Sequence, residues 1–189
     1  MAFLTEDQVK AMGFRHVGKN CLLSDKASYY NCNNIKIGNN VRIDDFCVLS
    51  AGIGGIEIGS HIHIAVYSSL IGAGKIVLKD FCNISSKVAI YSSNDDYSGQ
   101  FMTNPTVPSQ YTNVTSLDVI IGKHVIVGSG SVILPGVTLE MGVAIGALSL
   151  VNKSCTEFGV YTGIPLKRIK ERKRNLLNLE IELKNERSI

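Results

Sequence analysis

Aliphatic residues return at every sixth position along most of this chain. Ile37, Ile43 and Leu49 form one series, Ile58, Ile64 and Leu70 a second, and Leu78, Ile84 and Ile90 a third. After a gap the register is cleanest, with Ile121, Val127, Ile133, Leu139, Ile145 and Val151. A weaker copy opens the chain at Val17, Leu23 and Tyr29. The fifth position of each hexad is biased too. It holds Cys21, Ala27, Val41, Cys47, Ile62, Ser68, Cys82, Val88, Val125, Ser131, Val137, Val143, Ser149 and Cys155, nearly all small or β-branched. Two inward positions per hexad are what one short strand and one turn need. A unit repeated at fixed period buries its apolar face against its neighbours in a stack. Three hexads therefore make one triangular coil of a parallel β-helix. Coil starts fall at Val17, Ile37, Ile58, Leu78, Ile121 and Leu139, spaced 20, 21, 20, 43 and 18 residues. All the residues beyond the bare coil follow the third hexad, so they sit at one corner of the prism. The fold class is an all-β solenoid of about six coils. Its main body runs over 17–164, with one long excursion over 96–120.

The ends follow another pattern. Thr5 with Gln8 spells a capping box for a short helix over Thr5–Met12, closed by Gly13, within a lead-in over 1–16. After Pro165 a basic run leads into Leu176, Leu177, Leu179, Ile181 and Leu183, whose spacing is partly helical. The segment 165–189 is thus expected to form a basic C-terminal helix. Both helices are candidates to cap the open ends of the solenoid. The 189 residues carry a formal charge of +3. Segment 165–189 holds eight basic and four acidic groups, so it contributes +4 and the remainder −1. That total is too small for a nucleic-acid partner. No apolar run is long enough for a membrane span, and the N-terminus shows no export signal. A cytoplasmic location is expected. The five cysteines are odd in number and lack zinc-finger spacing. Four of them hold fifth positions and read as small buried hydrophobes.

Hexapeptide repeats of this form resemble the left-handed β-helix acyltransferases, over Val17 to Lys170. The resemblance implies a left-handed helix, acetyl-CoA as acyl donor with no metal, and a homotrimer with each active site between two subunits. Val127-Gly128-Ser129-Gly130 and Ile145-Gly146-Ala147 match the donor end, where small residues allow a pantetheine arm close to the backbone. Val151-Asn152-Lys153 stands where the family has Val-Thr-Lys. Gly163-Ile164-Pro165-Leu166-Lys167-Arg168-Ile169-Lys170 matches its Gly-x-Pro-x-basic end. The family resemblance therefore assigns Ser129, Gly146, Ala147, Asn152, Lys153, Lys167 and Lys170 to the cofactor, the lysines facing its phosphates.

In many members a histidine stands just before the long loop and takes the proton of an acceptor hydroxyl. Here the run is Ile90-Tyr91-Ser92-Ser93-Asn94-Asp95-Asp96-Tyr97, and Asp95 takes that place with Asp96 beside it. An ordinary aspartate titrates near pH 4, too low for a good base toward a hydroxyl. A neutral amine is already a nucleophile and needs only a group to orient it and hold its proton. The missing histidine therefore tilts the reading toward N-acylation. His63, outward on the third coil, is the rival base. His61 and His124 read as surface residues. Tyr97, Phe101 and Tyr111 of the loop either stack on a nucleotide or sugar or pack on a neighbouring subunit. The run Asp95-Asp96-Tyr97-Ser98-Gly99 with Met102-Thr103-Asn104-Pro105 is similar to bacterial dTDP-4-amino-4,6-dideoxyglucose acyltransferases of O-antigen pathways. That narrower likeness implies a nucleotide-sugar acceptor. Three other readings stay open: a sugar O-acetyltransferase with His63 as base; a γ-type carbonic anhydrase using His61, His63 and His124; and a non-catalytic trimeric scaffold.

Overall fold

The chain stacks its hexads in the expected register. In the computed structural model, which describes residues 2–186, three parallel sheets form the sides of a prism. Sheet I holds Val17, Ile37, Ile58, Leu78, Ile121 and Leu139 as successive partners. Sheet II aligns Leu23, Ile43, Ile64, Ile84, Val127 and Ile145. Sheet III aligns Tyr29, Leu49, Leu70, Ile90, Ile133 and Val151. This is the left-handed parallel β-helix fold. From Leu23 on, nearly every one of these side chains is buried, and they merge into one core. Each fully buried aliphatic contributes about 1.5–3 kcal/mol, so the core rather than the short strands carries stability.

A seventh, partial coil extends the stack. Gly159–Thr162 joins sheet II parallel to Ala144–Ile145, and Cys155 pairs with Leu139. Cys155 thus takes a leading position, not the fifth. The coil that begins at Leu139 is two residues short of the bare eighteen. The cysteines at true fifth positions are small donors as well as small hydrophobes. The thiols of Cys21, Cys47 and Cys82 lie 3.1 Å from the carbonyls of Gly38, Ala65 and Gly122. Ser68, Ser131 and Ser149 do the same work between sheets II and III. Their hydroxyls donate to Ser85 and Gly146 carbonyls at 2.7–3.0 Å.

The corners turn through left-handed residues. Between sheets I and II these are Asn20, Asn40, His61, Phe81, His124, Gly142 and Phe158. Between sheets II and III they are Phe46, Tyr67, Lys87, Gly130 and Leu148. Each non-glycine among them carries roughly 1–2 kcal/mol of strain, which stacking against the next coil offsets. His61, Phe81 and His124 form one such stack, with ring centroids 4.9 and 5.0 Å apart. His61 and His124 are therefore parts of a corner ladder, not plain surface residues.

Helix α1 spans Glu6–Ala11 with both halves of the capping box formed, and Leu4 and Val9 pack on the core beneath it. It caps the first coil. The other end is closed differently from the expected helix. Lys167–Glu171 runs as an antiparallel strand along Gly159–Thr162 and covers the edge of sheet II. Helix α2 begins only at Leu176 and ends at Glu186. It docks on the flank of the fifth coil, where Glu180 accepts hydrogen bonds from Lys123 at 2.5 Å and His124 at 2.7 Å. The physical reason is the edge itself: a row of open backbone groups is satisfied by a strand and not by a helix.

Candidate active site

Equivalent positions of successive coils form columns about 4.8 Å apart per step. Most of the residues singled out from the sequence fall on or beside two such edges, and His63 does not. Along the corner between sheets II and III run Gly128-Ser129-Gly130 in coil five, then Gly146-Ala147-Leu148 in coil six. This strip cannot bear side chains at its glycines. A Cβ on Gly128 would lie 2.4 Å from the Ala147 nitrogen, and one on Gly146 would lie 2.6 Å from the Thr162 hydroxyl. Ser129 and Ala147 are exposed beside them. The result is a smooth surface that lets an extended ligand approach the backbone. It leads to the strand Lys167–Glu171. Lys167 and Lys170 there are exposed and form no ion pair with any described residue, whereas Arg168 pairs with Glu171. Arg172 and Arg174 of the same basic run are structural. Arg172 donates to the carbonyls of His124 and Gly142, and Arg174 lies 4.1 Å over the Phe158 ring.

The second edge is the corner between sheets III and I. The excursion leaves it after Ala89–Tyr91 and returns at Val119–Ile121, pinned by the hairpin pair Ser93–Asn94 and Thr115–Ser116. Asp95 and Asp96 follow the first hairpin strand, and they differ. The Asp96 carboxylate accepts from the Ser98 hydroxyl at 2.8 Å, the Ser98 amide at 3.0 Å and the Gly99 amide at 3.1 Å. The Ser98 hydroxyl bond, then the backbone amides, hold its carboxyl below the usual range. Asp96 thus builds the turn. Asp95 is exposed and makes no hydrogen bond or ion pair with any described residue. Tyr97, Phe101 and Tyr111 are exposed on the loop, Tyr97 to 87%. Asn152 and Lys153 stand on the same corner in coil six, so one chain does not gather Lys153 with Lys167 and Lys170.

His63 lies apart from both carboxylates of the loop, outward on sheet II, the side opposite the loop's corner. Its Nε2 is 2.8 Å from Asp44, whose other oxygen accepts from Arg42 at 2.7 Å. Burial pushes the Asp44 carboxyl up, but the bonds from Arg42 and His63 outweigh it and bring it below the usual range. Sequence reading passed over Arg42 and Asp44. The signal was present, because Arg42 and His63 occupy one outward column in adjacent coils.

The side between the two edges is sheet III. Its outward residues are Ser28, Tyr30, Val48, Ser50, Ser69, Ile71, Ala89, Tyr91, Val132 and Leu150, without a charge. Sheet I by contrast shows Lys36 and Glu57. Sheet III thus presents an uncharged face between the two edges. Among the described residues no group of three metal-binding side chains converges, and no helix is long and apolar enough to cross a membrane.

No family model matches the chain. It is 62% identical over 180 residues to a dTDP-4-amino-4,6-dideoxy-D-glucose acyltransferase of Escherichia coli, covering 95% of this chain and 94% of that one. The solved structure of AntD, an N-acyltransferase from Bacillus cereus, in complex with dTDP and 3-hydroxybutyryl-CoA superposes with a TM-score of 0.95 at 46% identity. It covers 100% of this chain and 99% of AntD. A serine-substituted AntD bound to dTDP-4-amino-4,6-dideoxyglucose and coenzyme A gives a TM-score of 0.93 at 46% identity, with 98% of each chain covered.

Proposed function

This chain belongs to the dTDP-4-amino-4,6-dideoxyglucose acyltransferase family, and we propose that it N-acylates the 4-amino group of that nucleotide sugar from an acyl-CoA. Acetyl is the proposed acyl group and surface polysaccharide synthesis the proposed setting. The observation that carries the reading is identity over nearly the full length to an enzyme named for this acceptor. The free Asp95 carboxylate supports it chemically. The neutral amine attacks the thioester carbonyl; the C–N bond forms, the C–S bond breaks, and sulfur leaves as the CoA thiolate. The proton lost by nitrogen passes to Asp95 or to the departing sulfur. Backbone N–H groups of the coils polarise the carbonyl. Ser129, Gly146 and Ala147 seat the pantetheine arm, and Lys167 and Lys170 meet the phosphates.

The working form is a homotrimer. The donor strip and the loop lie on opposite edges of sheet III, so a complete site takes one edge from each of two copies. Lys153 and Asn152 then join the cofactor from the neighbouring chain.

A second reading rests on the Asp44–His63 pair. An imidazole oriented by a carboxylate suits proton removal from a hydroxyl, hence sugar O-acetylation. Thiol release from acetyl-CoA distinguishes the two. The amino reading expects release with dTDP-4-amino-4,6-dideoxyglucose and none with the matching 4-hydroxy nucleotide sugar. Release with the hydroxy sugar that is lost in His63→Ala transfers the function to the second reading.

A further inference from the structure

The long loop has no core of its own. No residue from Ser93 to Asp118 is buried, and its hairpin pairs only Ser93–Asn94 with Thr115–Ser116. Asp95 follows directly on that short hairpin, so its place depends on the root of the loop. Both strands of the root grip one dipeptide, Gly74-Lys75, at the close of the third coil. On the outgoing side the fully buried Ser92 hydroxyl donates to the Gly74 carbonyl at 2.7 Å. On the returning side the Asp118 carboxylate accepts from the Lys75 amide at 2.9 Å, while the Lys75 ammonium pairs with Glu57. The Leu117 amide donates to the Ser92 carbonyl at 3.0 Å and closes the root. A Cβ on Gly74 would stand 2.8 Å from the carbonyl oxygens of both Ser92 and Leu117, so only glycine lets the root seat this low.

A group that orients an attacking amine must be placed closely, since an error of about 1 Å can cost about 10²-fold in rate. Asp95 makes no bond of its own with any described residue. Ser92 lies three residues before it. Extended chain covers that step in about 10 Å, so a tilt at the root is carried to the carboxylate. We infer that Ser92 and Asp118 are positioning residues for acyl transfer, acting through Asp95 by clamping the loop root onto Gly74-Lys75. The inference rests on the role given to Asp95 above and deepens it. The donor strip takes no part, because it lies on the other edge of sheet III.

The test is a double-mutant cycle on the intact protein. Thiol release from acetyl-CoA with dTDP-4-amino-4,6-dideoxyglucose gives kcat for Ser92→Ala, Asp118→Ala and Asp118→Asn, each alone and combined with Asp95→Asn. Calorimetry with CoA and thermal melts accompany each. Both alanine variants are expected to lower kcat about 10- to 100-fold, with CoA affinity at the parental value. Asp118→Asn keeps an oxygen acceptor for the Lys75 amide and is expected to recover most of that rate. In the Asp95→Asn background the alanine changes lose their effect, because the group they position is gone. A merely structural loss would instead multiply with that of Asp95→Asn. Parental kcat in Asp118→Ala overturns the clamp, and so does a full additional loss in the Asp95→Asn background. If Ser92→Ala unfolds, Asp118→Ala decides alone, since its side chain is exposed. A slow Asp95→Asn beside fast clamp variants overturns the clamp and leaves the role of Asp95 standing. Parental kcat in Asp95→Asn, or a parent that releases no thiol, overturns the earlier reading and the clamp with it.

Discussion

Two adjacent aspartates illustrate how neighbouring carboxylates take different work. Asp96 spends its lone pairs on Ser98 and Gly99. Asp95 spends none on any described residue. Asp95→Asn is therefore expected to lower kcat by about 10²–10⁴, the range of positioned proton transfer, with CoA affinity unchanged. Asp96→Ala breaks the turn and is expected to raise KM for the acceptor more than it lowers kcat. Steady-state kinetics of both variants check this, and a normal kcat in Asp95→Asn would return the proton to the departing sulfur. The buried thiols make a separate prediction. Burial pushes Cys82 up to about 12, and its thiol sits between the carbonyls of Lys79 and Gly122. Cys82→Ser keeps the donor, whereas Cys82→Ala loses it and costs about 1–2 kcal/mol. Urea unfolding measures that difference. An aromatic disulfide reagent should reach Cys82 only as the chain unfolds, after the half-buried Cys21 and Cys32.

At the scale of elements, helix α2 depends on one carboxylate. Burial pushes Glu180 up, but bonds from Lys123, Lys184 and His124 prevail and hold it at about 2. A depressed folded value means that the stabilisation is whole above the unfolded value near 4.5 and fades as pH falls toward 2. Hydrogen exchange should show α2 protected at neutral pH and opening across that acidic window, while the coils stay closed. Glu180→Ala should open it at pH 7, because it leaves His124 and Lys123 facing each other at the helix surface. The coils were legible in the sequence because one aliphatic position and one small position recur in a single register. Every corner insertion fell where that register put it. The C-terminal strand was not legible. Leu166 to Glu171 mixes charge with isolated aliphatics, and its strand identity comes from the open edge of sheet II rather than from its own pattern. The long loop was legible in position but not in contact, since only its Asp96 turn and its hairpin are local. The Asp44–His63 pair lies across adjacent coils, so it emerges only when outward columns are read as well as inward ones.

At the scale of the whole molecule, charge is divided along the axis. The segment 165–189 holds the net positive excess, while the body before it is slightly negative. Much of that excess is already spent, since Arg168, Arg172 and Arg174 serve the fold. Lys167 and Lys170 stay unpaired with any described residue, and their strand runs antiparallel beside Gly159–Thr162, whose Thr162 borders the smooth strip. A ligand that is apolar along its arm and anionic at its end fits this sequence of surfaces. Lys167→Glu is expected to weaken CoA by about 10- to 100-fold, since one charge-assisted hydrogen bond to phosphate amounts to about 1.5–3 kcal/mol. Lys167→Glu with Lys170→Glu should lower affinity further, and neither should shift sedimentation, because sheet III lies around the corner from both. Raising ionic strength shortens the screening length from about 10 Å at 0.1 M to about 3 Å at 1 M. Parental affinity should therefore fall with salt, and the double variant should lose most of that dependence. Titration of CoA across salt, with the two proteins in parallel, reads both effects at once. A salt slope equal in the two would place the phosphates elsewhere, and Lys153 would be the next cation to change.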